Sequence, residues 1–220
     1  MLNLLFPKIC CGCKCPISKG QEVLCADCIH SLPLASFHKT ESEILKNKFY
    51  GRFLLQNATA LFTFQKRGIT QELMHNLKYR DQKEISSFFG KWLGAELAEI
   101  EAYRKIDLVI PVPLHKQKLR KRGYNQVEGF GKEIAKALEI PYRNDILLKI
   151  SKTGSQVFKT RILRFETEEV FIAQNLETIN NKHILLVDDI ITTGATLEKC
   201  AIQLLKAENV SISIATMATT

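Results

Sequence analysis

Short apolar runs and stretches with helical spacing alternate along this chain, and that alternation predicts its architecture. Residues 58 to 64, ATALFTF, switch between small or polar and large apolar side chains, so they read as a strand with Leu61 among its apolar positions. Ile69, Leu73 and Leu77 then step four residues at a time. Ile85, Phe88, Trp92 and, less regularly, Leu97 follow a similar rule, so two helices are expected after the strand. The stretch DLVIPVPLH, residues 107 to 115, reads as a buried strand running into a loop stiffened by Pro111 and Pro113. Asn125 and Glu128 have the spacing of a capping box, and Val127, Phe130, Ile134 and Leu138 continue a helical stripe beyond it. DILLKI, 145 to 150, predicts another strand. Residues 151 to 168 are polar, basic and weakly periodic, which predicts a mobile loop with room for a short hairpin.

Near the end of the chain, ILLV (184 to 187) is rich in branched side chains and too short for a helix, so it reads as a strand buried on both faces. From Leu197 the pattern changes. Leu197, Cys200, Ala201, Leu204 and Leu205 recur at helical spacing, and VSISIA, 210 to 215, supplies a last strand. Strands alternating with helices predict an α/β fold, a mostly parallel sheet covered by helices on both faces.

Composition changes this picture little. The chain has 220 residues, 45% hydrophobic and 25% charged, which is ordinary for a folded protein and excludes a disordered or collagen-like class. Lys and Arg number 31 against 23 Asp and Glu, and the resulting charge of +8 favours anionic partners without choosing among them. No segment is long and apolar enough to span a membrane, and MLNLLFPKICCGC lacks a basic leader, so a cytoplasmic protein is expected. Six of the seven cysteines fall between residues 10 and 28, where metal binding is the better reading in a reducing compartment. The proline and small residues of SLPLASF mark a boundary, giving a cysteine-rich module over 1–36 and a larger domain over 37–220.

The stretch LLVDDIITTGATL, 185 to 197, carries the most chemistry. Two adjacent aspartates, Asp188 and Asp189, repel each other in a dry core and are expected to meet water, hydroxyl groups or a cation. Thr192, Thr193, Gly194, Ala195 and Thr196 then place free backbone N–H groups and hydroxyls at a helix N-terminus, a cradle suited to phosphate. A ligand with vicinal hydroxyls and a phosphate fits both halves, and ribose 5-phosphate has that shape.

This string resembles the signature of type I phosphoribosyltransferases, which bind phosphoribosyl pyrophosphate with Mg²⁺. The resemblance implies that Asp188 and Asp189 contact the ribose hydroxyls and that residues 192–196 hold the 5′-phosphate. IPVPLHKQKLRKRGYNQ, 110 to 126, is similar to the ComF family in particular, with its PVPLH segment and later RGYNQ. By that likeness Pro113 shapes a loop facing the pyrophosphate. Residues 116–122 continue it as a basic loop, in which Arg120, Lys121, Arg122 and Lys118 supply charge for a diphosphate or a nucleic-acid backbone, and Gly123 permits close approach. Residues 151–168 correspond to a flexible loop over the active site, where Gln156, Lys159, Arg161 and Arg164 are placed to close over the pyrophosphate.

Cys10-x2-Cys13 and Cys25-x2-Cys28, eleven residues apart, have the arrangement of a zinc ribbon holding one structural Zn²⁺. Cys11 and Cys15 leave the ligand choice slightly open, although the 10/13 pair reproduces the spacing of the second knuckle and of the ComF family. Cys200, in an apolar helical stripe, is expected in the core. Two functions follow from these readings. One is sugar-phosphate transfer from phosphoribosyl pyrophosphate to an unnamed acceptor. The other, implied by the ComF association with natural competence and DNA uptake, is handling of single-stranded DNA together with a helicase partner. The intact sugar-phosphate string supports the first. The appended cysteines and the RFETEEVF segment at 164–171, which departs from the usual family pattern, support the second.

Overall fold

The computed structural model describes residues 7–18, 20–39, 42–151 and 169–220. Its elements, in chain order, begin with α1 (Ala26–His30), α2 (Ser42–Asn47), β1 (Leu55–Thr63), α3 (Ile69–Tyr79), α4 (Glu84–Ala98) and α5 (Glu101–Arg104). They continue with β2 (Leu108–Pro111), α6 (Lys116–Arg122), α7 (Glu128–Ala137), β3 (Leu147–Ser151) and β4 (Glu169–Ala173). A 3₁₀ turn (Leu176–Ile179), β5 (His183–Ile191), α8 (Ala195–Leu204) and β6 (Ser211–Thr219) complete them. Strands β1, β6, β5 and β2 lie side by side in that order, all parallel.

Alternation along these strands builds two cores. Val109, Leu185, Val187, Ala215 and Met217 face one side and pack with α3, α4 and α7. Their neighbours Leu108, Ile110, Ile184, Leu186, Ile212 and Ile214 face the other side and pack with α2, α8, β3 and β4. Continuous apolar runs are required because both faces are covered, and each fully buried Leu, Ile or Val contributes about 1.5–3 kcal/mol. The expected doubly covered parallel sheet is therefore present.

Details differ from the periodicity. The stripe of α4 that is wholly buried is Ile85, Phe89, Leu93 and Leu97, with Phe88 and Trp92 at its margin, so the inner face is rotated by one residue. Asn125 does not close a capping box. Its amide donates to the Val112 carbonyl at 3.0 Å and its oxygen accepts from the Val127 N–H, tying the start of α7 to the loop after β2. The strand expected at 145–150 exists, but it pairs antiparallel with β4 in a separate two-stranded sheet. Residues 33–35 form an antiparallel bridge to β1 at Leu34 and Phe62, covering that edge of the main sheet.

The cysteine-rich segment is packed on this frame. Cys10, Cys11, Val23, Leu24, Cys28 and Leu32 join the same apolar cluster as α3 and α4. The buried Asn76 amide of α3 donates to the Cys11 carbonyl at 2.9 Å, and Lys14 pairs with Glu72 one turn earlier. Among the described residues no helix is long and apolar enough to cross a membrane.

Candidate functional site

The carboxyl ends of parallel strands are where open α/β sheets take ligands, and at this edge β5 runs further than its apolar pattern suggests. It continues through Asp188 and Asp189 to Ile191, with Asp188, Ile190 and Ile191 paired to β6, so the turn into α8 is confined to Thr192, Thr193 and Gly194. Side chains alternate along a strand, which sends the two aspartates to opposite faces. Both are nearly buried.

Their surroundings differ accordingly. Asp189 lies on the α3 side, where Lys78 Nζ is 2.8 Å from its Oδ2 and Gln126 Nε2 donates to the same oxygen at 3.0 Å. Of the water, hydroxyl groups or cation expected around the pair, a cation is supplied to Asp189 by the chain itself. Asp188 accepts from the Asp189 N–H at 2.8 Å. Burial, reinforced by the Asp189 charge, raises its carboxyl to about 8, against which the Asp189 N–H, Lys78 and Lys149 pull weakly.

In the turn, Thr192, Thr193, Ala195 and Thr196 are exposed, whereas Gly194 is buried in the left-handed region at φ +78°. A Cβ there would lie 2.7 Å from the Phe49 ring, so glycine is needed to seat the turn on Phe49 as well as for its conformation. Among the described residues no acceptor faces the Thr193 or Gly194 N–H. The Ala195 N–H donates to the Thr193 Oγ1 at 3.4 Å, so it is the Thr193 and Gly194 amides that stand unbonded at the positive end of the α8 dipole.

The expected basic loop is a helix. Lys116–Arg122 forms α6, capped by the His115 ring accepting from the Gln117 N–H, with none of its residues buried. Arg120 and Lys121 project from it into solvent. Arg122 turns inward, donating to Gln126 and lying 5.7 Å from the Tyr79 ring centre, so one chain of contacts links Arg122, Gln126, Asp189 and Lys78. Gly123 ends the helix at φ +81° with its N–H bonded to Leu119 O, a helix cap by geometry. Pro113 is half-buried just past β2, which pairs with β5 up to Val187. Arg164, Gln156, Lys159 and Arg161 lie outside the described residues.

Four residues at this edge, Lys78, Gln126, Lys48 and Arg52, have no role assigned to them by the sequence reading. Lys78 carried a weak signal, a lysine one position past the apolar stripe of α3. Gln126 was visible only as part of RGYNQ. Lys48 and Arg52, which reach the 192–194 turn from the segment before β1, gave none.

The cysteine expectation rests on clear geometry. One sulfur from each of Cys10, Cys13, Cys25 and Cys28 lies within 4.8 Å of the others, and Cys13 and Cys25 are 3.7 Å apart. A tetrahedral zinc with sulfurs at about 2.3 Å separates its ligands by about 3.8 Å. Gly12 and Cys25 N–H groups donate to Cys10 Sγ at 3.4 and 3.3 Å, and Cys28 N–H donates to Cys25 Sγ at 3.4 Å. Burial raises the Cys10 thiol, yet these amides and its sulfur neighbours bring it down to about 6, into thiolate range. Cys11 is set apart. Burial and the nearby Glu84 push it to about 12, its thiol donating to that carboxylate at 3.7 Å. Cys15 is exposed, and Cys200 is fully buried as expected.

Known proteins are similar to this chain in several ways. Residues 128–220 match the phosphoribosyl transferase domain. Competence protein ComFC of Bacillus subtilis is 26% identical over 96% of this chain and 85% of its own length. Competence protein ComFC of Streptococcus pneumoniae is 31% identical over 64% of this chain, which spans 58% of that relative. Among solved structures, adenine phosphoribosyl transferase from Trypanosoma brucei, in complex with AMP, pyrophosphate and ribose-5-phosphate, is 14% identical with a TM-score of 0.42, covering 76% of this chain and 85% of that one.

Proposed function

Taking the chain as a ComFC-like protein of the ComF family with a phosphoribosyl transferase domain, we propose that it binds phosphoribosyl pyrophosphate across the β5–α8 junction and α6. The observation that carries this reading is the junction itself. Two enclosed carboxylates stand one short turn from exposed hydroxyls and free amides. Asp188 and Asp189 accept from the ribose hydroxyls. Thr192, Thr193, Gly194, Ala195 and Thr196 hold the 5′-phosphate, and Arg120, Lys121 and Arg122, beside Pro113, meet the diphosphate.

Transfer breaks the bond from the anomeric carbon to the diphosphate and forms one to an acceptor nitrogen. The basic residues of α6 stabilise charge on the departing group, and positioning of the sugar supplies the rest. Magnesium accompanies the diphosphate. The aspartates do not form a cation cage of their own, because they point to opposite faces and Asp189 is already engaged by Lys78. Incubation with phosphoribosyl pyrophosphate, Mg²⁺ and a panel of bases tests the reading, with pyrophosphate release and calorimetric heat as measures. Heat and release above the Asp188→Asn/Asp189→Asn variant are expected. Neither appearing would overturn it.

A second reading has its own support: α6 has no buried residue and is strongly basic, and relatives are named competence proteins. In it, α6 tracks the phosphates of single-stranded DNA beside a helicase partner, and affinity falls steeply with salt. Fluorescent oligonucleotide titrated at several salt concentrations tests this, and an affinity unchanged by Arg120→Ala/Lys121→Ala removes it. For the cysteines we propose a structural Zn²⁺ held by Cys10, Cys13, Cys25 and Cys28, forming a module over residues 1–36. About one zinc per chain is expected by metal analysis.

A further inference from the structure

The segment between α2 and β1 sits behind the phosphate turn. Phe49, beside Leu45 of α2, anchors it in the second core and lies directly under Gly194. From that anchor Lys48 Nζ donates to the Thr192 carbonyl at 3.4 Å and to the Thr219 hydroxyl at 3.3 Å, and it also reaches the Thr220 carbonyl, so it joins the ends of β5 and β6. Arg52 Nη1 donates to the Thr193 carbonyl at 2.9 Å and lies 3.2 Å from Glu198 in the first turn of α8.

A trans peptide is planar, with its C=O and the following N–H pointing in opposite directions. Drawing the Thr192 and Thr193 carbonyls toward Lys48 and Arg52 therefore turns the Thr193 and Gly194 N–H groups the other way. These are the amides that meet no acceptor among the described residues. Without the two cations, the Thr192 and Thr193 carbonyls lose these partners, and although Gly194 stays seated on Phe49 the donors on the same peptide planes are held less firmly in a common direction.

We infer that Lys48 and Arg52 are positioning residues, which aim the Thr193 and Gly194 amides at the 5′-phosphate of a bound sugar. This rests on the phosphoribosyl reading above. Neither side chain touches the phosphate. Each acts through a carbonyl on the far side of the peptide plane, so specificity for a 5′-phosphate depends on a segment more than 140 residues away in sequence.

Calorimetry with ribose 5-phosphate, inorganic pyrophosphate and phosphoribosyl pyrophosphate, on the full chain and on Lys48→Met and Arg52→Met, tests it. Each substitution should weaken both ligands that carry the 5′-phosphate about tenfold, the worth of one charge-assisted hydrogen bond, and change pyrophosphate affinity less than twofold. Arg52→Lys should recover part of the loss. Equal weakening of all three ligands, or none, overturns the inference while the site reading stands. A wild-type protein that binds none of the three overturns the site reading, and the inference falls with it. Should Lys48→Met fail to fold, Arg52→Gln gives a second route. Adding ribose 5-phosphate should shift the Thr193 and Gly194 amide resonances in the wild type and much less in that variant, and equal shifts count against the inference.

Discussion

The β5–α8 junction and helix α6 face the same edge of the sheet but are built on opposite plans. The junction extends the central strand: Asp188 and Asp189 lie within β5, where Asp188 pairs with Thr216 and Ile190 with Ala218 of β6, Gly194 rests on Phe49, and α8 buries Leu197, Cys200, Ala201 and Leu204. Helix α6 buries nothing and is held at its ends, by His115 at the start and by Arg122 and Gly123 at the finish. Groups set in a core keep their geometry before a ligand arrives, whereas charges on a surface attract from a distance and adapt. One region supplies shape and the other supplies field.

The sharpest break in this contrast is Gly194→Val. Overlap with Phe49 and a left-handed backbone should together cost about 3 kcal/mol or more, read as a lower urea midpoint. A loss under about 1 kcal/mol would mean that the turn is as loose as α6. Next comes Lys78→Met, which leaves the buried Asp189 carboxylate with Gln126 alone. Lys78 is 26% exposed, so the cost is discounted to roughly 2 kcal/mol from that of a fully buried pair.

Asp188 sharpens the comparison through pH. Its folded carboxyl titrates near 8, above the ordinary carboxylate value, so the unfolded chain loses this proton first. The contribution is full below about pH 4 and declines as pH rises toward 8. Asp188→Asn should flatten that decline in denaturation midpoints measured from pH 4 to 8, and an unchanged slope would show a solvated carboxylate instead. The smallest effect belongs to Arg120→Ala/Lys121→Ala, expected to move stability by less than about 0.5 kcal/mol while weakening pyrophosphate binding in a salt-dependent way.

What could be read in advance follows the same division. The parallel sheet, the core position of Cys200, and the strand-to-helix junction all come from periodicity, because burial on two faces writes itself into consecutive residues. The paired CxxC motifs were legible for a similar reason, since metal-ligand spacing is local. KQKLRKR has no apolar stripe to reveal helix α6, so its sequence reads as a loop. Periodicity leaves the inner face of α4 open by one residue because Phe88 and Phe89 are equally apolar, and packing against Phe62 selects Phe89. Lys78, Lys48 and Arg52 act across long sequence separations that no local pattern encodes.

Helix α3 joins the two ends of the molecule. Asn76 and Lys78 are two positions apart, about 200° around the helix, so one reaches the backbone of the cysteine segment and the other the acid at the strand end. Tyr124 fastens Leu77 between them. The helix is thus a spacer of fixed thickness whose seat on the cysteine segment sets how far the ammonium group extends. Tightening or slackening the sulfur cluster would be felt, one helix diameter away, as a change in the reach of a single positive charge.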